Sequence, residues 1–132
     1  MGPSSVQNLE IWKEGIQLVK EIYRLTRTWP KEEAYGLTAQ VRRAAISIPA
    51  NIPEGVGRAS PGDTARFVQM ALGSAYELDT LLEIARELGF STADEIAPLQ
   101  TKIVQQCRQV SSFIRYQENH PNLKKPKPRG RT

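Results

Sequence analysis

The strongest constraint on the fold is a helical repeat of apolar residues that recurs four times along the 132-residue chain. In each segment an apolar side chain returns every three or four positions, which places these side chains on one face of an α-helix. The alternating pattern of a half-buried strand does not occur at any useful length. Since short links separate the segments, the pattern predicts an all-α, antiparallel, up-down-up-down four-helix bundle. The predicted core faces are Leu9, Trp12, Ile16, Val19 and Tyr23; Leu37, Val41, Ala45, Ile48 and Ile52; Phe67, Ala71, Leu78, Leu82 and Ala85; and Ile96, Leu99, Ile103, Val110 and Ile114.

Capping residues and helix breakers predict where these helices begin and end. Asn8 is suited to cap the first helix, which should end near Thr28 because Trp29 precedes a proline. The Gly55-Val56-Gly57 run should end the second helix, because glycine adopts left-handed geometry without steric cost. The other boundary signals are capped starts at Ser60 and within Ser91–Glu95, and a stop at Gly89.

The net charge of +4 is distributed unevenly along the chain. The final segment, 120–132, has no acidic residue and contains Lys124, Lys125, Lys127, Arg129 and Arg131, which leaves thirteen basic and fourteen acidic side chains elsewhere. This segment also has three prolines and almost no apolar residue, so we expect it to be disordered when free. The sequence therefore predicts a flexible leader at 1–7, a four-helix bundle at 8–119 and a disordered basic tail at 120–132.

Two prolines four residues apart, Pro49 and Pro53, interrupt the second apolar segment. Each proline removes a backbone donor and costs an isolated helix about 3 kcal/mol. We therefore expect a bend between about Ile48 and Ile52. It could wrap the helix around its own core, or shape an assembly surface for neighbouring subunits from Pro49, Asn51, Pro53, Glu54 and Gly55.

The same region resembles a known family. The stretch "YGLTAQVRRAAISIPANIPEGVGR" is similar to the pattern of the bacterial four-helix bundle proteins encoded in 23S rRNA intervening sequences. The resemblance continues through "EIYRLTRTWP" before it and "ALGSAYELDTLLEIARELG" after it, and so extends from Leu9 to about Ile114. Pro53 departs from the family pattern, where alanine is usual, and the Pro/Lys tail lies outside the family core.

This resemblance implies a homopentamer whose bundles form a barrel around a central channel. It also relates the chain to the accessory variability proteins of diversity-generating retroelements, which resemble this family in fold and bind a reverse transcriptase and nucleic acid. The number five depends on the resemblance alone.

Residues that could support catalysis are few. His120 is the only histidine and lies beside Pro121, so one chain offers neither a histidine-based triad nor a metal cluster. Cys107 has no obvious activating partner and reads as a thiol at the edge of the core. We therefore expect no enzymatic activity, no cofactor, no metal and no small-molecule substrate. A single cysteine and no membrane-spanning apolar run favour a reducing cytoplasm.

Nucleic-acid binding has more support in the sequence. The candidate residues are Arg42 and Arg43 in the family motif, Arg58 after it, the i, i+4, i+7 stripe of Lys20, Arg24 and Arg27, and the five tail cations. Simpler alternatives remain open. The stripe could be solvated and partly paired with Glu14 and Glu21, and Arg42 and Arg43 could pair with Glu54 or Glu77 of another subunit. With Trp12 and Tyr23 assigned to the core, we expect little base stacking and weak sequence preference.

Two classes of function follow from these features. In the first, the protein is a homo-oligomeric accessory factor that binds RNA or DNA, with structured RNA favoured, as a partner of a reverse transcriptase or as an rRNA intervening-sequence protein. In the second, it is a structural or protein-interaction bundle whose basic tail only aids solubility.

Overall fold

The computed structural model describes the backbone of residues 3–52 and 61–119 and the side chains of 10–52 and 65–116. These residues form four helices and no strand, which confirms the all-α prediction. The helices are α1 (Pro3–Thr26), α2 (Leu37–Ala50), α3 (Pro61–Glu87) and α4 (Ala93–Asn119), and a single 3₁₀ turn (Lys31–Glu33) lies between α1 and α2.

The helices pack in a closed cycle around one apolar core. Helix α1 packs against α2, α2 against α3, α3 against α4, and α4 against α1, whereas the backbones of the diagonal pairs stay further apart within the described ranges. This arrangement lets each helix bury one face against two neighbours, as in a four-helix bundle.

The core faces predicted for α2, α3 and α4 are confirmed almost in full. Each predicted apolar residue of these helices is buried except Leu37 and Phe67, which are half-buried. Phe113, which the spacing did not single out, is one of the largest fully buried side chains. These helices were predictable because each has one dominant apolar stripe.

The core face predicted for α1 was wrong at Ile16 and Tyr23, and the side chain of Leu9 lies outside the described residues. Ile16 and Tyr23 are 39% and 37% exposed, while the buried seam consists of Ile11, Gly15, Leu18 and Ile22. Trp12 and Val19 are half-buried at the boundary between the two stripes. Because α1 has apolar residues around more than half of its circumference, periodicity alone does not say which stripe faces inward.

The ends of α1 also differ from the prediction. The helix begins at Pro3, so Asn8 lies inside it rather than capping it, and the helix extends into the segment predicted as a leader. At the other end α1 stops at Thr26, two residues earlier than expected, where the Thr26 hydroxyl donates a hydrogen bond of 2.9 Å to the carbonyl of Ile22.

Helix α2 ends at Ala50, before the glycine run that was predicted to end it. Asn51 closes this end, since its side-chain amide donates to the carbonyl of Ser47 at 2.8 Å. The carbonyl of Pro49 accepts a hydrogen bond from the amide of Ile52 at 3.1 Å. Ile52 precedes Pro53, which disfavours helical geometry at Ile52 and explains the early end. The bend between Ile48 and Ile52 stays a prediction, and three residues of the predicted assembly surface, Pro53, Glu54 and Gly55, lie outside the described residues.

The connection between α3 and α4 follows the predicted boundary signals. Gly89 has a φ of 80°. Its amide donates a hydrogen bond to the carbonyl of Arg86, and the amide of Phe90 donates one to the carbonyl of Ala85. This pair of bonds is the Schellman motif. Helix α4 then starts with a capping box. Thr92 Oγ1 accepts a hydrogen bond of 3.2 Å from the backbone amide of Glu95, and Glu95 Oε1 accepts one of 2.8 Å from the backbone amide of Thr92. The predicted cap at Ser60 lies outside the described residues.

A buried contact joins the two inter-helix links that are described. The indole of Trp29, which follows α1, donates a hydrogen bond of 2.8 Å to the hydroxyl of Ser91, which precedes α4. The Trp29 ring also packs against Phe90, with ring centroids 5.8 Å apart. We call this set of three residues the Trp29 clamp.

Candidate nucleic-acid interface

The basic stripe on α1 is exposed to solvent as a group. Lys20 and Arg24 lie on the exposed side of α1, and Arg27 follows its last residue. Of the two acidic residues considered as partners for this stripe, Glu21 instead forms an ion pair of 2.6 Å with Lys102 on α4, and Glu14 forms no ion pair within the described residues. Within the described part of the chain the three cationic side chains form no ion pair, so their positive charge is available to an anionic ligand.

Lys13 is a further exposed cation on this helix, seven residues before Lys20. Two turns of α-helix separate residues seven positions apart, so Lys13 lies on the same side of α1 as Lys20. Sequence reasoning missed Lys13, although its i, i+7 relation to Lys20 was visible.

Arg42 is held against α1. Its side chain is half-buried, Nε donates a hydrogen bond of 2.8 Å to Thr26 Oγ1, and its guanidinium carbon lies 4.4 Å from the centroid of the Tyr23 ring. A guanidinium over a tyrosine face is a favourable cation–π geometry. Arg42 therefore fastens α2 to the end of α1, a role that sequence reasoning did not assign to it.

Arg43 lies on the other side of α2, where an exposed recess of about 300 Å³ separates α2 from α3. Ser47, Ser74 and Glu77 also line this recess, and Ser74 Oγ donates to Ser47 Oγ at 2.7 Å. Glu77, considered as a partner for Arg43 in another subunit, thus shares a recess with Arg43 of its own chain. No ion pair forms on Arg43 among the residues that the structure describes.

Some of the remaining predicted residues lie in the part of the chain that the structure describes, and others lie outside it. Pro49 is buried against Gly15 of α1, and Asn51 closes α2. The predicted residues outside the described ranges are Arg58, Pro53, Glu54, Gly55, Lys124, Lys125, Lys127, Arg129 and Arg131.

A groove between α3 and α4 was not predicted. One recess of about 480 Å³ is lined by Tyr76 and Asp79 of α3 and by Cys107, Arg108 and Arg115 of α4, among others. A second recess of about 430 Å³ shares Tyr76, Ser111 and Arg115 with the first, so the two are parts of one groove. The only sequence signal for it was the i, i+7 spacing of two arginines on the polar side of α4.

Electrostatic shifts near this groove are modest. Burial, and to a lesser degree the charge of Asp79, raise the pKa of the Cys107 thiol. Hydrogen bonds from Arg86 and then from Gln100 lower the pKa of Glu83 on the exposed surface.

The described residues contain no group of three metal-ligating side chains. Across the same ranges, no helix has an apolar stretch long enough to cross a membrane.

The helix packing defines the class: an all-α four-helix bundle, which carries an exposed cationic stripe on α1. The chain belongs to the 23S rRNA-intervening sequence protein family, whose model matches residues 7–112. A crystal structure of a protein of unknown function from the S23 ribosomal protein family of Bacteroides thetaiotaomicron has the same fold, with a TM-score of 0.74. That protein is 21% identical, and the match covers 83% of this chain and 98% of that one. A comparison with curated proteins gives no significant match.

Proposed function

We propose that this chain is a non-enzymatic, homo-oligomeric accessory protein that binds nucleic acid and favours structured RNA. The observation that carries the proposal is the exposed stripe of Lys20, Arg24 and Arg27, which forms no ion pair within the described residues, while Glu21 pairs with Lys102 instead. The family description, which refers to an intervening sequence of 23S rRNA, is in keeping with an RNA ligand.

Phosphate contacts provide the affinity in this proposal. Each cation that neutralises a phosphate releases counterions, so binding weakens as salt rises, with a slope of about −0.9 per phosphate contact on duplex and about −0.7 on single strands. The stripe contributes three cations and the tail five more. In an oligomer the copies bind together, so weak contacts add up as avidity.

The proposed assembly is a ring of five antiparallel up-down-up-down bundles, in which the bend after α2 shapes part of the subunit contact. Contacts such as Tyr23 with Arg42 and Gly15 with Pro49 support the antiparallel order, because the later residue of α1 meets the earlier residue of α2. The exposed apolar residues Ile16, Tyr23 and Ile46 of α1 and α2 are candidates for burial between subunits. Light scattering that gives a 14.8 kDa monomer at micromolar concentration would reject the ring.

The binding proposal is tested by titrating a labelled RNA hairpin with the full chain at two salt concentrations. The test variant is Arg24→Gln, and the matched control is Arg86→Gln, which removes the same charge from a cation already paired with Glu83 and Glu87. We expect the test variant to weaken binding and flatten the salt dependence more than the control does. Equal losses would mean that the stripe is not the site.

The tail is tested in the same titration with a chain that ends at His120. We expect the truncated chain to lose most of the affinity, because it lacks all five tail cations. Undiminished binding by the truncated chain would place the ligand site in the bundle alone.

The second candidate function is a protein-interaction bundle, favoured by the exposed apolar residues of α1 and α2. A reverse transcriptase is the partner that the resemblance to accessory variability proteins suggests. Copurification of the two proteins after nuclease treatment would support that partner. Failure of the full chain to bind RNA or DNA at low salt would favour this second function over the first.

A further inference from the structure

The groove between α3 and α4 combines an exposed aromatic ring with two arginines. Tyr76 is 58% exposed on α3, although it lies beside the core, and it lines both recesses of the groove. Arg108 and Arg115 on α4 are exposed and line the same groove. Seven residues of helix separate the two arginines by about 10 Å along the axis.

The side chains around Tyr76 leave its ring accessible. Gly73, one turn before it on α3, has open space where a Cβ would be, and Ser111 opposite it on α4 is small. Arg115 donates one hydrogen bond of 3.3 Å to Ser112, and within the described residues Arg108 has no hydrogen bond or ion pair. The groove therefore offers a flat aromatic surface and unneutralised guanidinium groups.

This combination matches the chemistry of a nucleotide. A base stacks on an exposed aromatic ring regardless of its identity, because every base has a π-face. Guanidinium groups bind phosphate oxygens through paired, charge-assisted hydrogen bonds. With two arginines against the single carboxylate of Asp79, the charge of the groove favours an anionic ligand.

We propose that this groove binds an unpaired nucleotide of the RNA, with its base on the Tyr76 ring and its flanking phosphates on Arg108 and Arg115. The inference rests on the proposed function and adds to it a site for single-stranded segments. The stripe on α1 contacts phosphates only, whereas the groove distinguishes an unpaired base from a paired one. A hairpin with an open loop should therefore bind more tightly than a blunt duplex, because it can contact both the stripe and the groove.

The test compares two labelled RNAs, a hairpin with a uridine loop and a blunt duplex of equal charge, by fluorescence anisotropy with the full chain. Loss of one base stack corresponds to about a tenfold loss of affinity. We expect Tyr76→Ala to lose this factor for the hairpin and little for the duplex, and Tyr76→Phe to retain wild-type binding. Tyr35→Ala is the matched control, because Tyr35 is 99% exposed and lies outside the groove.

A photocrosslink gives a direct readout of the same contact. With 5-iodouridine in the loop, we expect the crosslinked tryptic peptide to be Phe67–Arg86, which contains Tyr76. Arg108→Gln/Arg115→Gln should reduce both the crosslink yield and the affinity for the hairpin.

Each other outcome overturns the inference in a distinguishable way. If the wild-type chain binds the hairpin and Tyr76→Ala binds it equally well, the groove is not the site, while the proposed function stands. If the wild-type chain binds neither RNA nor DNA, the proposed function and the groove both fail. If Tyr76→Ala changes the particle mass in light scattering, a second copy of the chain occupies the groove.

Discussion

Helix α1 packs closely against α2 and α4 at Gly15, and substitution of this residue tests the packing. A Cβ added at Gly15 would lie 3.2 Å from Pro49 Cβ and 3.4 Å from both Pro49 Cδ and Gln106 Oε1. The Pro49 ring is buried and has no flexible end that could move aside. Two neighbouring helices therefore limit the space at this one position.

Two opposing terms decide the effect of Gly15→Ala. Alanine in a helix interior is more favourable than glycine by about 0.5–1 kcal/mol. Excess volume in a packed core costs about 1–3 kcal/mol. We expect the second term to dominate, so that Gly15→Ala lowers the free energy of unfolding.

Gly73→Ala is the matched control for this experiment. Gly73 lies in the interior of α3, and nothing is within 4 Å of an added Cβ. Only the helix term applies there, so Gly73→Ala should raise the free energy of unfolding by about 0.5–1 kcal/mol. Thermal unfolding at one fixed protein concentration separates the two, at ~4 °C per kcal/mol for a domain of this size. A Gly15→Ala protein as stable as Gly73→Ala would refute the close approach.

Three further substitutions or treatments test other parts of the structure. Ser91→Ala leaves the buried indole N–H of Trp29 without its acceptor, so it should lower the free energy of unfolding by about 1–3 kcal/mol. Urea unfolding followed by tryptophan fluorescence measures this loss, and a smaller loss would mean that water replaces the hydroxyl. Thr92→Ala removes the capping box of α4 and should cost about 1 kcal/mol, while Thr101→Ala, an exposed mid-helix control, should cost less. The raised pKa of Cys107 reduces the fraction of its thiol that is ionised at pH 8. Iodoacetamide should therefore alkylate Cys107 more slowly in the native chain than in urea, and equal rates would contradict its partial burial.

Periodicity predicted the fold well where a helix has one apolar stripe. All five predicted residues of α4 are buried, because most of the remaining residues of that helix are polar. The same method misassigned part of α1, where Ile16 and Tyr23 fit a helical repeat as well as Leu18 and Ile22 do. What distinguishes the two stripes is Gly15, which allows α1 to approach α2, and a close approach between helices depends on residues far apart in the sequence.

The candidate sites show the same limit. The α1 stripe was predictable because its cations belong to one helix, so spacing alone places them together. The pairing of Glu21 with Lys102 was not predictable, since 81 residues separate the two. The groove around Tyr76 was missed for a related reason. Tyr76 and Arg108 become neighbours only after α3 and α4 pair, and spacing along the chain does not place them together.

The Trp29 clamp has a consequence for the kinetics of folding. It joins residues 62 positions apart, one in the link that follows α1 and one in the link that precedes α4. Closing so long a loop is entropically costly, so we expect the contact to form after the local helix pairs have assembled. Interactions that are absent from the transition state mainly slow unfolding. The Trp29 clamp should therefore slow the unfolding of the bundle, and so lengthen the lifetime of the folded state, while leaving its folding rate almost unchanged.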